Sequence, residues 1–122
     1  MSYRQQKGLS GEMAASRYLQ SRGYRIIEHR YRHGRKEIDL VAGKDELIVF
    51  VEVKTRTSER YGPIRTSVTG RKKRNLVDAA AGWLAERETD SPDHSYRFDV
   101  ILISRTPDGK VELEHIEDAF RA

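Results

Sequence analysis

The spacing of apolar residues divides the chain into two helical stretches and five strand-like ones. Residues 3–22 carry apolar side chains at helical spacing, and Gly23 follows as a residue suited to the left-handed conformation that ends helices. A second helix is predicted after Thr69, a candidate N-cap, with an apolar side formed by Leu76, Val77, Ala80, Ala81 and Leu84. Strands are predicted over residues 24–32, 37–42, 47–55, 96–104 and 110–116.

Gly, Pro and polar residues separate these elements. The chain should turn at residues 33–36, 43–46 and 106–109, and longer loops are expected over residues 56–68 and 88–95. A short tail is expected after the last strand. The order α-β-β-β-α-β-β predicts one α/β or α+β domain over residues 1–122, with the helices packed against one central sheet.

Composition narrows the class of protein. The chain has 122 residues, enough for one modest core, of which 34% are charged and 37% hydrophobic. It has no cysteine, which excludes a disulfide framework and thiolate metal ligands. Its first residues lack the apolar segment of a secretory signal, and the longest apolar run, LIVFV, is too short to cross a bilayer. We therefore expect a cytoplasmic protein with no membrane partner.

Charge is distributed in blocks along the chain. Residues 1–36 carry nine Lys and Arg against two acids, and residues 54–74 carry eight against one. The acidic residues 37–53 separate these blocks, and residues 75–122 are acidic again, with eleven acids against five basic residues. Two basic blocks point to a polyanionic partner, most simply nucleic acid, with a solvated charged surface as the alternative.

The first predicted hairpin places carboxylates where a core would be expected. Side chains two residues apart share a face of a strand, so Glu37 lies with Asp39, and Glu52 with Lys54. A four-residue turn would put Asp39 opposite Phe50 and Glu37 opposite Glu52. All four charged side chains would then share one end of one face. A slip of one residue would send the two pairs to opposite faces.

Such a cluster is costly unless a cation joins it. Facing like charges destabilise a ladder, and each buried carboxylate loses its hydration. A divalent cation would offset that cost, and Mg²⁺ favours one or two carboxylates together with water and phosphate oxygens. The sequence contains no HExxH pattern that would support zinc. The alternative is structural, with Glu52 and Lys54 as the polar end of a buried strand, paired with each other or with Arg56.

A further carboxylate falls on the apolar side of the first helix. Glu12 shares that sector with Leu9, Met13, Ser16 and Leu19. The neighbouring Gly11 would let the helix approach the sheet closely. Glu12 either joins the same acidic site or forms a salt bridge with Arg17 or Arg22.

Other polar and aromatic residues have simpler interpretations. Asp99 lies inside the fourth predicted strand, and Arg97 on the same face is its expected partner. Trp83 fits the apolar side of the second helix and is expected in the core. The histidines lie in basic or loop segments and are expected at the surface: His29, His33, His94 and His115.

An Asp in one hairpin strand followed by Glu-x-Lys in the next resembles the PD-(D/E)xK nuclease superfamily. More narrowly, the chain resembles the YraN-like family of uncharacterised, endonuclease-like bacterial proteins, related to archaeal Holliday junction resolvases. The resemblance covers nearly the whole chain in order, through GLSGEMAASRYLQSRGYRIIEHRYR, EIDLVA, LIVFVEVKTR and RFDVI. Lys36 departs from the glycine that the family usually has before EID.

The resemblance implies a restriction-endonuclease-like fold with a mixed five-stranded central sheet flanked by helices. It implies a metal-dependent endodeoxyribonuclease acting on structured or branched DNA. By position, Asp39 and Glu52 would hold Mg²⁺, which Mn²⁺ could replace, with the carbonyl of Val53 as a further ligand. Lys54 would orient the attacking water or stabilise developing charge. Glu12 would complete the site, and Glu37 belongs to the motif without a defined role.

Basic residues around the second helix would then bind phosphates: Arg56, Arg60, Arg65, Arg71, Lys72, Lys73 and Arg74. Tyr61 could stack on a base, or belong to a solvated connector. Two other hypotheses are a nucleic-acid-binding module with the same fold that does not cut, and a structural protein whose binding is independent of salt. A homodimer is compatible with the resemblance, because related resolvases act as two-fold dimers.

Overall fold

The computed structural model describes residues 3–57, 70–87 and 94–121. These residues form two helices and five strands: α1 Tyr3–Ser21, β1 Arg25–His33, β2 Lys36–Lys44, β3 Leu47–Thr57, α2 Gly70–Arg87, β4 Ser95–Arg105 and β5 Val111–Phe120. The predicted order α-β-β-β-α-β-β is confirmed. Gly23 has a φ of +91°, the left-handed conformation predicted after α1.

The strands form one mixed sheet in the order β1-β2-β3-β4-β5. β3 and β4 are parallel, while the other neighbouring strands are antiparallel. The parallel ladder runs from Leu47 opposite Ser95 to Thr57 opposite Arg105. The β2–β3 ladder is shorter, because its last pair is Leu40 opposite Val51. The carboxyl-terminal half of β3 therefore extends beyond its ladder with β2.

The two helices cover opposite faces of this sheet. The α2 side buries an aromatic-rich core that includes Phe50, Leu76, Trp83, Phe98 and Phe120. The α1 side buries an aliphatic core that includes Leu19, Leu40, Val51, Ile101 and Ile103. Trp83 is 1% exposed, which confirms its predicted place in the core. The sheet is thus buried on both faces, as expected where helices pack on each side.

Helix α1 passes very close to the end of β3. A Cβ atom built on Gly11 would overlap the Cγ2 atom of Thr55, so no side chain could be placed there without a shift. The absence of a side chain at Gly11 therefore permits the approach that the sequence predicted. It also brings the next residue, Glu12, to the end of the sheet where the hairpin carboxylates lie.

The turn between β2 and β3 is shorter than predicted. Gly43 and Lys44 continue β2, and Asp45 takes a left-handed φ of +54°, a conformation that Asp tolerates better than most residues. Lys44 therefore pairs with Leu47, which shifts the ladder by two residues from the predicted register. Because the shift is an even number, the paired residues 40–44 keep the faces that the predicted register gives them.

Several boundaries and side-chain placements were predicted wrongly. β5 continues to Phe120, so the expected tail is part of the last strand, and Arg56 lies in β3 instead of a loop. Met13 is 53% exposed and Ala81 is exposed as well. Ala15 is buried in α1 instead of Met13, and Ala79 is buried in α2 instead of Ala81.

The predicted cap Thr69 and most of the two long loops, residues 58–68 and 88–93, lie outside the described residues. Neither α1 nor α2 is long and apolar enough to cross a membrane.

Candidate active site

Asp39 lies where strands β2 and β3 separate. The last ladder pair is Leu40 opposite Val51, and the next residue of β2 is Asp39. Its Oδ2 atom accepts a hydrogen bond of 2.8 Å from the backbone N–H of Val53. Ile38 packs in the α2 core and Leu40 in the α1 core, although residues two apart share a face in a regular strand. The alternation of β2 therefore breaks at Asp39, whose carboxylate binds the β3 backbone where the ladder ends.

Glu52 is the buried carboxylate beside it, with 4% of its surface exposed. Its Oε1 atom lies 3.1 Å from Nζ of Lys72 and 3.9 Å from Nζ of Lys54. Lys54 reaches Glu52 from the same face of β3, and Lys72 reaches it from the first turn of α2. The sequence placed Lys72 among the phosphate-binding residues of the rim. In the structure Lys72 is the closer of the two lysines to Glu52.

The electrostatics of the pair follow from this burial. Burial, together with the negative charge of Glu52, raises the pKa of Asp39 to about 7. The hydrogen bond from Val53 favours the charged form but is outweighed. Burial also disfavours the charge on Lys72, yet the ion pair with Glu52 prevails and raises the pKa of Lys72 above its ordinary value. Two mutually repelling carboxylates thus share the site with a lysine as counter-charge.

Glu12 is held at the margin of this site by an arginine of β1. Nε of Arg30 donates a hydrogen bond of 2.8 Å to Oε2 of Glu12, whose side chain is 13% exposed. The ion pair is with Arg30 instead of the predicted Arg17 or Arg22. The charge of Glu12 still contributes to the raised pKa of Asp39, after burial and Glu52. Residue spacing gives no signal for Arg30 beyond its position in a basic strand.

The first residues of β2 are bound away from the buried pair. Oε2 of Glu37 lies 3.5 Å from Nε of Arg32 in a largely exposed ion pair. Nζ of Lys36 lies 2.5 Å from Oδ2 of Asp78 in α2. Lys36 therefore ties the β1–β2 turn to the second helix.

The donor set fits Mg²⁺ only with ligands from outside the protein. Among the described residues, no three Asp, Glu or His side chains are grouped so that they could hold a metal ion together. Asp39 and Glu52 supply two carboxylates, and Mg²⁺ commonly completes its shell with water and phosphate oxygens. The repulsion between the two carboxylates raises the pKa of Asp39. A divalent cation between them would attract both carboxylates and so offset this repulsion.

The first turn of α2 contributes the described part of the predicted phosphate-binding surface. It contains no acidic residue and holds Arg71, Lys72, Lys73 and Arg74. The side chains of Arg71 and Arg74 are exposed, whereas Nζ of Lys73 lies over the ring of Phe120, 5.7 Å from its centroid. The predicted residues Arg60, Tyr61 and Arg65 lie outside the described residues.

A second polar cluster, on the α1 side, is centred on Asp99, which is 1% exposed. Arg97 donates two hydrogen bonds to its carboxylate, at 2.7 and 2.8 Å, which confirms the predicted pairing. His115 lies 2.6 Å from the same carboxylate and 3.1 Å from the hydroxyl of Tyr18 in α1. The expected surface position of His115 is therefore wrong, because its side chain is 5% exposed. Burial alone would raise the pKa of Asp99, but these hydrogen bonds lower it.

Comparison with known proteins shows similarity over most of the chain. The model of a family described as Uncharacterised protein family UPF0102 matches residues 11–103. A UPF0102 protein of Geobacter metallireducens is 46% identical over 114 residues, which are 93% of this chain and 90% of the relative. A UPF0102 protein of Symbiobacterium thermophilum is 42% identical over 94% of this chain and 96% of its own. A UPF0102 protein of Chlorobium phaeobacteroides is 41% identical over 94% of this chain and 93% of the relative.

Proposed function

The chain belongs to the uncharacterised protein family UPF0102, as its sequence predicted. From the residues of the site, we propose that this protein is a divalent-metal-dependent endodeoxyribonuclease that hydrolyses phosphodiester bonds in structured or branched DNA. The observation that carries this proposal is the pair formed by the partly buried Asp39 and the buried Glu52 at the separation of β2 and β3, with Lys54 on the same face as Glu52.

The architecture supports a restriction-endonuclease-like fold. The mixed sheet has α1 and α2 on opposite faces, and the acidic pair lies beyond the β2 ladder, in the carboxyl-terminal half of β3. Function depends on the site and not on the fold alone. The fold matters here because it holds two carboxylates at a position where ladder bonding is incomplete and a substrate could approach.

Asp39 and Glu52 would hold Mg²⁺ or Mn²⁺, which when bound makes water a stronger nucleophile and neutralises charge on a phosphate. The N–H of Val53 fixes the carboxylate of Asp39. Lys54, whose side chain is 31% exposed, can orient a water or stabilise charge on a phosphate oxygen. Arg71 and Arg74 can bind the neighbouring phosphates, since they are exposed at the amino-terminal end of α2, where backbone N–H groups also favour anions.

A second candidate function is a nucleic-acid-binding module that does not cut. One observation favours it: Glu52 already has a lysine at 3.1 Å and another at 3.9 Å, so its charge is balanced without a metal ion. In this case the first turn of α2 would bind phosphates and the acidic pair would be structural. The two candidates differ in whether DNA is hydrolysed when a divalent cation is added.

The test uses the full chain with end-labelled duplex, flap and four-way-junction DNA, with Mg²⁺, Mn²⁺ or EDTA. The variants are Asp39→Asn and Glu52→Gln, which remove charge and keep shape. Asp45→Asn is the matched control, because Asp45 is an exposed acid in the turn at the other end of β2, and Asn also tolerates its left-handed φ.

Cutting of the branched substrates that requires the cation, and that both site variants lose while Asp45→Asn retains it, would support the nuclease. Binding that weakens with salt, without cutting by any of the proteins, would favour the binding module. Binding that is independent of salt would contradict both functions.

A further inference from the structure

The strongest unexpected contact of the site is the one between α2 and the acidic pair. Lys72 and Lys54 approach the same atom, Oε1 of Glu52. Nζ of Lys72 lies 3.1 Å from it, whereas Nζ of Lys54 lies 3.9 Å away. The closer lysine therefore comes from the first turn of α2 and not from the Glu-x-Lys motif. The Glu52 side chain has only 5% of its surface exposed, so this contact replaces much of the hydration that the carboxylate has lost.

Lys72 interacts with more than one acid of the site. Its ammonium is stabilised by Glu52 first, and then by the charges of Asp39 and Glu37. The contact with Glu52 and the nearby charge of Asp39 place the ammonium of Lys72 where a divalent cation held by these two carboxylates would be attracted. Both cations are attracted by the same negative potential, and they cannot both lie close to one carboxylate oxygen without repelling each other.

The position of Lys72 on its helix is costly by itself. The amino-terminal turn of a helix carries a partial positive charge, so a lysine there is disfavoured unless an anion is nearby. The same turn holds three other basic residues and no acid. Glu52 is a nearby anion that offsets this cost for Lys72.

We propose that Lys72 is an exchangeable counter-cation: it neutralises Glu52 when no divalent ion is bound, and a divalent ion displaces it from the carboxylate. This inference rests on the metal-binding part of the proposed function. Lys54 does not take this role because it is farther from Glu52, and it retains its position beside the pair after the exchange.

The direct test is the affinity of the protein for Mn²⁺ without nucleic acid, measured from the electron paramagnetic resonance signal of free Mn²⁺. Lys72→Met removes the competing charge and keeps an aliphatic stem. It should bind Mn²⁺ about tenfold more tightly than the wild type, the effect expected when one charge-assisted contact no longer competes. Lys72→Arg retains a competing cation and should bind Mn²⁺ no more tightly than the wild type.

Lys73→Met is the matched control, since it removes the same charge from the next residue of the helix. Nζ of Lys73 lies over the ring of Phe120 and not at Glu52, so the affinity for Mn²⁺ should change less than about twofold. Glu52→Gln removes the carboxylate on which both cations depend, and it should abolish Mn²⁺ binding at this site.

A stability measurement provides a second readout. In EDTA, Lys72→Met leaves Glu52 without its nearer partner, and the protein should unfold at a lower temperature than the wild type. Saturating Mn²⁺ should raise the unfolding temperature of Lys72→Met by more than it raises that of the wild type or Lys73→Met.

Failure of this inference can be distinguished from failure of the proposed function. Wild-type binding of Mn²⁺ that Glu52→Gln abolishes, but that Lys72→Met leaves unchanged or weakens, would overturn the exchange and leave the metal site intact. Absence of Mn²⁺ binding in both the wild type and Lys72→Met would overturn the metal site as well. Equal tightening by Lys72→Met and Lys73→Met would also overturn the exchange, because it would show only the general effect of net charge.

Discussion

At the scale of single residues, Asp39 is a carboxylate whose position reduces the stability of the fold. Its partial burial and the negative charge of Glu52 raise its pKa to about 7. Asp39→Asn keeps an acceptor for the N–H of Val53 and removes the repulsion. In EDTA at pH 8 we expect this variant to be more stable than the wild type by about 2–4 kcal/mol, since each pKa unit corresponds to about 1.4 kcal/mol. Urea unfolding measures the difference.

The pH dependence gives that prediction its sign. The folded protein keeps the proton of Asp39 up to about pH 7, whereas the unfolded chain releases it near pH 4. Between these values the folded state binds more protons, so the wild type loses stability as the pH rises. The advantage of Asp39→Asn should therefore grow from pH 4 to pH 8. An advantage that stays constant with pH would contradict the raised pKa.

Asp99 is the opposite case, a buried carboxylate that stabilises the fold. Hydrogen bonds from His115, Arg97 and the N–H of Asp118 outweigh burial and lower the pKa of Asp99. Asp99→Asn would remove the buried charge that binds Arg97 and leave Arg97 only the more distant Glu117, at 3.7 Å. It should cost about 3–5 kcal/mol of unfolding free energy at pH 7. Asp78→Asn, which breaks an exposed pair with Lys36, should cost less than about 1 kcal/mol. Urea unfolding of the two variants compares these costs.

The pH dependence at Asp99 runs the other way from that at Asp39. A lowered pKa in the folded state provides stability above the ordinary carboxyl value, and that stability is lost as the pH falls through the folded pKa. The cost of Asp99→Asn should therefore shrink between pH 5 and pH 2. A cost that is unchanged at low pH would show that the ionised carboxylate is not the stabilising form.

These residues also show what the sequence could predict. The apolar surroundings of Asp39 and Glu52 in β2 and β3 were sufficient to single them out, because carboxylates are rare within apolar strands. It could not identify Arg30 as the partner of Glu12 or Lys72 as the partner of Glu52. Both contacts join residues from different elements, and their formation depends on how the helices are placed on the sheet.

At the scale of elements, the approach of α1 to β3 depends on Gly11. In an exposed helix, replacing Gly by Ala stabilises by about 1 kcal/mol. Here the new Cβ would meet Cγ2 of Thr55, a side chain that is stiff because it is β-branched. We expect Gly11→Ala to destabilise the protein by about 1–3 kcal/mol, as overpacking does. Thermal or urea unfolding measures this.

The control for Gly11→Ala is the same substitution in a Thr55→Ala background. Removing Cγ2 of Thr55 relieves the contact, because the next nearest atoms lie at 3.8 and 3.9 Å. The effect of Gly11→Ala should then become neutral or stabilising. If Gly11→Ala destabilises equally in both backgrounds, the close approach is not the reason for glycine at this position.

The β2–β3 hairpin shows why element boundaries were less predictable than element types. Gly43 looked like the first residue of a turn, but it continues β2 and the guanidinium of Arg25 lies close to it. The turn is made instead by Asp45, through a left-handed φ that a sequence pattern does not distinguish from an ordinary loop conformation. Because the resulting shift was two residues, an even number, Asp39 and Glu52 still lie near each other at one end of the sheet, whereas Glu37 pairs with Arg32 away from them.

At the scale of the whole molecule, the order and direction of the elements place unlike charges together. The acids of residues 37–52 and the basic first turn of α2 come from separate parts of the sequence, and the fold brings them into contact at Glu52. The opposite end of the sheet carries other exposed cations, including Arg22 and Arg25. The proposed function therefore predicts that phosphate binding depends on where a positive charge lies and not only on the net charge of +4.

The salt dependence of duplex binding tests this distinction. Arg71→Gln with Arg74→Gln removes two exposed charges from the first turn of α2. Each lost phosphate contact should reduce the slope of log K against log salt concentration by about 0.9, so the double variant should lose close to twice that amount. Arg22→Gln with Arg25→Gln removes the same charge from the opposite end of the sheet and should leave the slope nearly unchanged. Fluorescence anisotropy at several salt concentrations gives both slopes. Equal losses in the two double variants would mean that binding follows net charge, and the first turn of α2 would then not be the phosphate-binding surface.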